Sequence, residues 1–118
     1  MTYEAFDVVG VPFPFADRNT TKRRPALVLS DLTAFNAASG HSVLAMITSA
    51  KNSSWPLDIE IVDLDAAGLP SASVVRMKLF TLDHQLILRK LGRLAERDRA
   101  ATAKALKALF QGLSQVAR

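Results

Sequence analysis

Apolar residues in this chain come in short runs of strand length until about Leu94, and at helical spacing only after it. Four of the runs read FDVVGVPFPF, ALVLS, VLAMITS and SVVRMKLF, and residues that favour turns separate them. Val, Ile and Phe favour strands, whereas the Ala-rich segment from about Ala95 to Val116 has the period of a helix. The pattern predicts a mainly β, α+β fold in which five or so strands form a small, strongly bent sheet or barrel that the helix closes.

Proline and alternating polarity set the expected ends of the strands. The first strand should end or become a sheet edge near Pro12, because proline has no N–H for the ladder. The polar run ADRNTTKRR, residues 16–24, predicts a loop, and a strand follows Pro25. Residues 57–65, LDIEIVDLD, alternate in polarity and predict a half-exposed strand. A helical turn and a further strand are expected before Gly92.

The C-terminal helix carries an acidic first turn and one apolar stripe. Glu96 and Asp98 suit the positive end of its dipole, and the helix could begin on either side of Asp98. Because a helix repeats about every 3.6 residues, four apolar side chains share one face of it. We expect this face to pack on the sheet. These side chains are Leu106, Leu109, Phe110 and Leu113.

Length and composition limit the possible classes of protein. A chain of 118 residues fits one domain, so residues 1–118 are expected to form a single unit. The lack of cysteine rules out disulfides, thiolate metal sites and a cysteine nucleophile. The N-terminus has no basic leader before an apolar segment, and no apolar run approaches about 18 residues, which predicts a soluble, unexported, cytoplasmic protein.

Charge is distributed unevenly along the chain. Residues 1–75 contain five Lys or Arg and eight Asp or Glu, whereas residues 76–118 contain ten and three. The resulting charges of −3 and +7 favour an acidic partner for the basic surface, nucleic acid being the usual one. A solvated basic helix explains much of the same asymmetry.

Common catalytic motifs are missing from the sequence. It contains no Gly-rich phosphate loop, no HExxH metal motif and no GxSxG elbow, and we expect neither a metal nor a cofactor. His41 and His84 suggest an acid–base pair of the kind that cleaves RNA. Both lie in turn-like segments without a supporting motif, so surface histidines are the better interpretation.

Three consecutive cations precede the second apolar run, in TTKRRPALVLS. Their repulsion and desolvation cost free energy, which raises the question of what compensates Lys22, Arg23 and Arg24. Proline confines the residue before it to extended conformations, which gives Arg24 a rigid backbone. Its planar guanidinium matches phosphate oxygens with two parallel hydrogen bonds. A solvated basic loop is the alternative, and spacing alone does not choose between the two.

Two further segments supply groups suited to phosphate. Thr48 and Ser49 end the run VLAMITS, where their hydroxyls can either donate to a phosphate oxygen or cap the chain. In SVVRMKLF, Arg76 and Lys78 alternate with apolar residues and therefore point off one face of the predicted strand. Each segment alone carries little information, and their order along the chain carries more.

That order resembles the MazF/PemK (Kid) toxins of bacterial type II toxin–antitoxin systems. The resemblance rests on DVVGVPFPF, KRRPALVLS, MITS, SVVRMKLFTLD and LGRL, and spans about Phe6 to Leu113. It implies an SH3-like barrel of antiparallel strands with a C-terminal helix, assembled as a homodimer. It also implies an mRNA interferase that cleaves single-stranded RNA without a metal, by attack of the 2′-hydroxyl, and leaves 2′,3′-cyclic phosphate and 5′-hydroxyl ends. The implied partner is a cognate antitoxin with a flexible acidic tail.

The resemblance assigns roles to individual residues. The arginine of the family's RP motif falls on Arg24 and the threonine of its ITS motif on Thr48, which are the implied catalytic residues. Arg24 would stabilise negative charge on the phosphorane, and Thr48 would hold a phosphate oxygen. The residues expected to bind RNA are Lys22, Arg23, Ser49, Arg76 and Lys78. Repulsion within KRR would then be offset when the polyanion binds.

The sequence departs from the family pattern in its first strand and last helix. Ala5, Phe6 and Asp7 stand where members often have Arg-Gly-Asp, so the glycine of a local turn is missing. Ala95 stands where a serine often caps the last helix, and Asp98 is expected to take over that cap.

Two other functions remain open on the same architecture. The related CcdB toxins share the barrel but bind and poison DNA gyrase, and a non-catalytic module would bind nucleic acid through the basic surface alone. KRRP together with ITS favours the ribonuclease. Gyrase inhibition without RNA cleavage, or salt-dependent RNA binding without cleavage, would identify the alternatives.

Overall fold

A computed structural model describes residues 2–13 and 22–116 of the chain. Its strands are β1 (Asp7–Pro12), β2 (Arg23–Val28), β3 (His41–Ser49), β4 (Ile59–Glu60), β5 (Ser73–Asp83) and β6 (Arg89–Arg93). They form one sheet in the order β4-β5-β3-β2-β1-β6, and every neighbouring pair is antiparallel. The predicted α+β fold is confirmed, and β1 ends at Pro12 as expected. Most of the predicted loop at residues 16–24 lies outside the described residues, and the expectation that the strand follows Pro25 is wrong, because β2 begins at Arg23.

Helical segments connect or follow the strands. A π-helical turn (Leu32–Asn36) continues as α1 (Ala37–Ser39), α2 is Leu64–Ala67 and α3 is Glu96–Leu109, with 3-10 turns at His84–Leu86 and Gln111–Gln115. The buried Asn36 side chain donates to the carbonyl oxygens of Tyr3 at 2.9 Å and Ser30 at 2.8 Å, which fastens the first segment to the sheet. Within the described ranges, no helix is long and apolar enough to cross a membrane.

Apolar side chains are buried on both faces of the sheet. Adjacent residues of a strand point to opposite faces, and Val8 and Val9 of β1 accordingly belong to two separate clusters. The cluster that joins the sheet to α2 and α3 includes Val8, Leu27, Ala45, Ile47, Val75 and Ala105. The cluster on the other face includes Val9, Val11, Ala26, Val28, Leu44 and Leu82. Burial from both sides holds β1, β2 and β3 firmly in place.

The face of α3 that packs on the sheet differs from the predicted one. Its buried residues are Asp98, Thr102 and Ala105, whereas most of the predicted apolar stripe is exposed, with Leu113 at 67 %. The exposed members of the stripe are Leu109, Phe110 and Leu113. The expectation that this stripe closes the sheet is therefore wrong within the single chain. Small side chains at helical spacing let α3 approach the sheet closely, which longer side chains would prevent.

Asp98 joins α3 to the chain just before α2. Its two carboxylate oxygens accept hydrogen bonds from the N–H groups of Val62 and Asp63, both at 3.0 Å. The prediction that Asp98 caps α3 is wrong, because the helix begins at Glu96 and Asp98 lies inside it. Asp98 instead satisfies two backbone donors of a neighbouring segment, where hydrogen bonds to a buried carboxylate are strong.

Residues 57–65 form a strand only at Ile59–Glu60, so the prediction of a longer strand is wrong. The chain turns into α2, and the Asp63 carboxylate accepts a hydrogen bond from the N–H of Ala66 at 3.0 Å. Gly68 ends the helix with a φ of 72°, a conformation that favours glycine. Side-chain capping at one end and glycine at the other stabilise this helical turn.

Phe6 occupies the position of the missing glycine and adopts a left-handed backbone with a φ of 75°. Such a conformation costs about 1 kcal/mol or more for a residue with a Cβ. Packing of Phe6 against the core and a hydrogen bond from its N–H to Val28, at 2.7 Å, offset that cost. The adjacent Asp7 carboxylate, 2 % exposed, pairs with Lys90 at 3.2 Å and Arg93 at 3.3 Å. The turn therefore forms without glycine.

Candidate functional site

The register of β2 and β3 brings Arg24 and Thr48 together. The pairing of β2 with β3 ends at Ala26 and Met46, and Arg24 and Thr48 each lie two residues beyond that pair. Because side chains two residues apart share a face, both lie on the side of the sheet to which Ala26 and Met46 point. Both also line one cleft of about 390 Å³. The two residues expected to be catalytic therefore border the same cleft.

This cleft, which we call the Arg24 cleft, combines positive charge with hydroxyl groups. Its polar lining consists of Lys22, Arg23, Arg24, Thr48, Ser49, Ser71 and Ser73. No carboxylate from the described part of the chain lines it. Cations and hydroxyl donors in one cleft favour a bound phosphate. Five of the seven residues that the sequence predicted for the site lie here.

Arg24 is positioned by its backbone and by an aromatic ring. It lies in β2 opposite Val11 and immediately before Pro25, which restricts its backbone. Its guanidinium carbon is 4.8 Å from the centroid of the Phe13 ring, within the range of a cation–π interaction. Proline and the ring together hold the guanidinium at the cleft.

Thr48 is oriented by a residue that the sequence analysis did not identify. Nδ2 of Asn52 donates a hydrogen bond to Oγ1 of Thr48 at 2.6 Å. A hydroxyl has one hydrogen and two lone pairs, so Oγ1 can accept from Asn52 while its own hydrogen points to another acceptor. A turn closed by a hydrogen bond from the N–H of Asn52 to the carbonyl of Ser49, at 3.1 Å, holds the amide there.

Arg76 and Lys78 have different surroundings: Arg76 is buried and Lys78 is exposed. Arg76 is only 9 % exposed and donates to both carboxylate oxygens of Asp58, at 2.9 and 3.2 Å, and to the carbonyl of Ser53 at 2.6 Å. Its hydrogen bond to Asp58 lowers the pKa of that carboxyl. Arg76 is thus engaged within the protein, where it fixes the loop at residues 50–58, and its predicted contact with RNA stays a prediction. Lys78 is exposed, and its Nζ lies 4.7 Å from the Trp55 ring centroid.

A second cleft of about 410 Å³ lies beside the first. It shares Arg23, Arg24 and Pro25 with the Arg24 cleft and adds Arg89, which lies opposite Gly10 in the β1–β6 pairing. The two clefts therefore form a continuous basic surface across the start of β2. Arg89 could not be predicted from the sequence, because it reaches this surface only through the pairing of β6 with β1, which are far apart in the chain.

Residues 4–110 match the family of PemK-like, MazF-like toxins of type II toxin–antitoxin systems. The chain belongs to this toxin family. The resemblance drawn from KRRPALVLS, MITS and the other segments is thereby confirmed. A search among curated proteins returned no match.

Solved structures of MazF toxins share the fold of this MazF-like chain. MazF from Deinococcus radiodurans is 25 % identical, with a TM-score of 0.70, over 94 % of this chain and 98 % of that one. Toxin MazF-mt6 from Mycobacterium tuberculosis is 22 % identical, with a TM-score of 0.70, over 89 % and 96 %. A mycobacterial endoribonuclease in complex with its cognate antitoxin is 15 % identical, with a TM-score of 0.72, over 93 % and 94 %. The predicted MazF-like sheet with its C-terminal helix is confirmed.

The histidines of this MazF-like toxin lie away from the Arg24 cleft. His41 begins β3, whereas Thr48 lies near the other end of that strand. Nε2 of His84 is 2.8 Å from Oγ of the buried Ser42, and burial lowers the pKa of His84, which favours its neutral form. In the described ranges, no group of three or more His, Asp or Glu is arranged to hold a metal ion.

Proposed function

We propose that this toxin is an endoribonuclease that cleaves single-stranded RNA in the Arg24 cleft without a metal ion. The observation that carries the proposal is that Arg24 and Thr48 line one cleft of cations and hydroxyls. Membership of the MazF-like toxin family supports it. Messenger RNA in the cytoplasm would be the substrate, and residues 1–118 would act as one domain.

The proposed reaction transfers phosphorus from one ribose oxygen to another. The 2′-oxygen loses its proton and forms a bond to phosphorus, the bond from phosphorus to the 5′-oxygen breaks, and the 5′-oxygen gains a proton. The products carry a 2′,3′-cyclic phosphate and a 5′-hydroxyl. Negative charge builds on the non-bridging oxygens during this transfer, and preorganised donors at those oxygens lower the barrier.

Arg24 and Thr48 would bind those oxygens. The planar guanidinium of Arg24 can form two parallel hydrogen bonds to a phosphate, and its charge is held at the cleft by Phe13. Thr48 would donate its hydroxyl hydrogen, because Asn52 already occupies one lone pair of Oγ1. An arginine has an unperturbed pKa of about 12.5 or more, so Arg24 is suited to charge stabilisation more than to proton transfer.

The surrounding cations and hydroxyls would guide the RNA backbone. Lys22, Arg23 and Ser49 line the Arg24 cleft, and Arg89 extends the basic surface into the second cleft. Lys78 presents a further exposed charge from β5. Counterions released by the RNA favour its binding to these side chains, which offsets the repulsion within the KRR run.

The proposal includes a homodimer and an acidic antitoxin. Similar structures include MazE with MazF from Deinococcus radiodurans, and the mycobacterial endoribonuclease with its cognate antitoxin. The +7 charge of residues 76–118 suits a flexible acidic partner segment. A second copy of the chain would cover exposed apolar side chains at the end of α3. These side chains are Leu109, Phe110, Leu113 and Val116.

Cleavage of a long single-stranded RNA tests the proposal. The purified toxin, freed of antitoxin and supplied with excess chelator, should cut at specific sites and leave 5′-hydroxyl ends. Arg24→Ala should lower the cleavage rate by about 100-fold or more, the usual effect of removing a preorganised donor to the developing charge. Arg97→Ala is the matched control, since Arg97 is an exposed cation on α3 outside the Arg24 cleft.

Two results would contradict the proposal. One is undiminished cleavage by a folded Arg24→Ala variant, which would place the reaction elsewhere. The other is intact RNA together with inhibition of gyrase supercoiling, which would assign the toxin to the gyrase-binding class instead.

A further inference from the structure

Trp55 is exposed to solvent on the loop at residues 50–58, whose backbone is held by hydrogen bonds. It is the only tryptophan of the chain, and 42 % of the residue remains exposed. An exposed aromatic on a flexible loop would lose much conformational entropy on binding a ligand, whereas one on a rigid loop would lose little. The rigidity of the loop at residues 50–58 therefore decides whether Trp55 is suited to binding.

The backbone of this loop is held by the Arg76–Asp58 pair. Asp58 accepts a hydrogen bond from the N–H of Trp55 at 3.0 Å, and its own N–H donates to the carbonyl of Trp55 at 3.1 Å. Arg76, mostly buried, binds the same carboxylate and also the carbonyl of Ser53 at 2.6 Å. Trp55 is thus held on both sides of its Cα by groups that are themselves anchored to β5.

Two cations lie against the Trp55 ring. Nζ of Lys78 is 4.7 Å and the guanidinium carbon of Arg76 is 5.9 Å from the ring centroid. Both distances are in the range of cation–π interactions, which favour one orientation of the indole.

The loop adjoins the Arg24 cleft on the same side of the sheet. Arg76 pairs with Met46, which lies two residues before Thr48 on β3, roughly 7 Å along the strand. Residues two apart share a face, so Arg76 and Thr48 point to the same side. Asn52 of the same loop binds the Thr48 hydroxyl at 2.6 Å. The loop therefore contacts the site of cleavage at one end and presents Trp55 at the other.

We propose that Trp55 stacks an unpaired base of the RNA that is cut in the Arg24 cleft. The inference rests on the proposed ribonuclease function and adds a base-binding subsite to it. Single-stranded RNA offers unstacked bases, and an aromatic face with neighbouring cations is the surface that proteins use to bind them. Stacking tolerates any base, so Trp55 would position the strand and add affinity without choosing one sequence.

Fluorescence of the single tryptophan tests the contact directly. The probes are 2′-O-methyl decamers of adenine and of uracil, which lack the attacking hydroxyl, and an abasic decamer with the same number of phosphates. The base-bearing decamers should quench Trp55 emission, whereas the abasic decamer should bind without quenching. Equal quenching by all three would overturn the proposal, because phosphate binding alone would then account for the signal.

Variants measure how much the contact contributes. Trp55→Ala should weaken binding of a labelled adenine decamer by about 5- to 150-fold in fluorescence anisotropy, the range expected for loss of one stacked base. Trp55→Phe should retain most of the affinity because it keeps an aromatic face. Phe35→Ala is the matched control: Phe35 is 38 % exposed in the turn before α1, away from the loop at residues 50–58, and its removal should leave affinity unchanged.

The two proposals fail in different ways. If Trp55→Ala binds as tightly as the unmodified toxin while Arg24→Ala loses cleavage, the stacking proposal is overturned and the nuclease stands. If base-dependent quenching occurs but no RNA is cut under any condition, base binding by Trp55 stands and the nuclease is overturned.

Discussion

At the residue scale, one amide determines how the Thr48 hydroxyl can donate. Nδ2 of Asn52 donates to Oγ1 at 2.6 Å, which leaves the hydroxyl hydrogen to donate to another acceptor, and Thr48 itself lines the Arg24 cleft. Asn52 does not line that cleft and would act through Thr48 as a positioning residue. Thr48 and Asn52 are only four residues apart, yet the sequence does not indicate that their side chains form a hydrogen bond.

Reversing this hydrogen bond should impair cleavage more than removing it. In Asn52→Asp the carboxylate can only accept, so it would draw the Thr48 hydrogen away from the phosphate. We expect the cleavage rate to fall by roughly 100-fold in Asn52→Asp, as for loss of one donor to the reacting phosphate, and by about 10-fold or less in Asn52→Ala. Single-turnover cleavage of one defined RNA measures both rates.

The added negative charge needs its own control. Ser53→Asp introduces the same charge at the next position, where only the backbone carbonyl is used by Arg76. Ser53→Asp should therefore slow cleavage much less than Asn52→Asp. Equal rates in the two variants would show that charge, and not the direction of the hydrogen bond, explains the loss.

At the scale of elements, α2 and β6 pack backbone to backbone. A Cβ added at Gly92 would lie 2.6 Å from the carbonyl carbon and 2.7 Å from the carbonyl oxygen of Ala67, distances that real Cβ atoms do not show. Gly68, at the end of α2, meets the backbone of Leu91 in the same way. This close contact fixes the position of α2 on the sheet. Asp98 binds Val62 and Asp63, the residues just before α2.

Gly92→Ala should therefore destabilise the fold. The new methyl group must displace backbone and not a flexible side chain, so we expect the free energy of unfolding to fall by about 1–3 kcal/mol or more. Urea unfolding followed by tryptophan emission measures it. Gly112→Ala is the control, since a Cβ there meets nothing within 4 Å, and it should change stability by less than about 0.5 kcal/mol. Equal stability of the two variants would contradict the close packing.

At the scale of the whole molecule, the strands bring cations from distant segments to one surface. Arg23 and Arg24 of β2 border both clefts, and Arg89 of β6 joins them although it lies more than 60 residues later. Other cations of residues 76–118 lie elsewhere, since Arg97 and Lys104 are on α3 beside another groove. The +7 charge of this segment is thus only partly located on the basic surface at β2. Only some of the basic residues should contact RNA.

Salt dependence of RNA binding should separate the two sets of cations. For single strands, the slope of log affinity against log salt changes by about 0.7 for each phosphate that the protein no longer neutralises. Arg23→Gln and Arg89→Gln should each reduce the slope by about this amount with a 2′-O-methyl decamer, whereas Arg97→Gln should leave it unchanged. A slope that falls equally in all three variants would mean that net charge, and not the basic surface at β2, governs binding.

Some parts of the site could be predicted from neighbouring residues. Arg24 before Pro25 and Thr48 at the end of an apolar run are local patterns, and the structure brings both to one cleft. Arg76 could not be assigned in this way. Its partner Asp58 lies 18 residues earlier in the sequence, and alternation alone predicts an exposed cation where the fold buries one.

The sequence by itself determined the strand-rich fold, the toxin family and the segments that supply the site, because strand period, turn residues and short motifs are encoded by residues close together in the chain. The tertiary structure alone decided which cations remain exposed, which stripe of α3 is buried and that Trp55 stands on a fixed loop. Those outcomes depend on contacts between residues far apart in sequence, and on the close fit of backbone at Gly92 and of small side chains on α3.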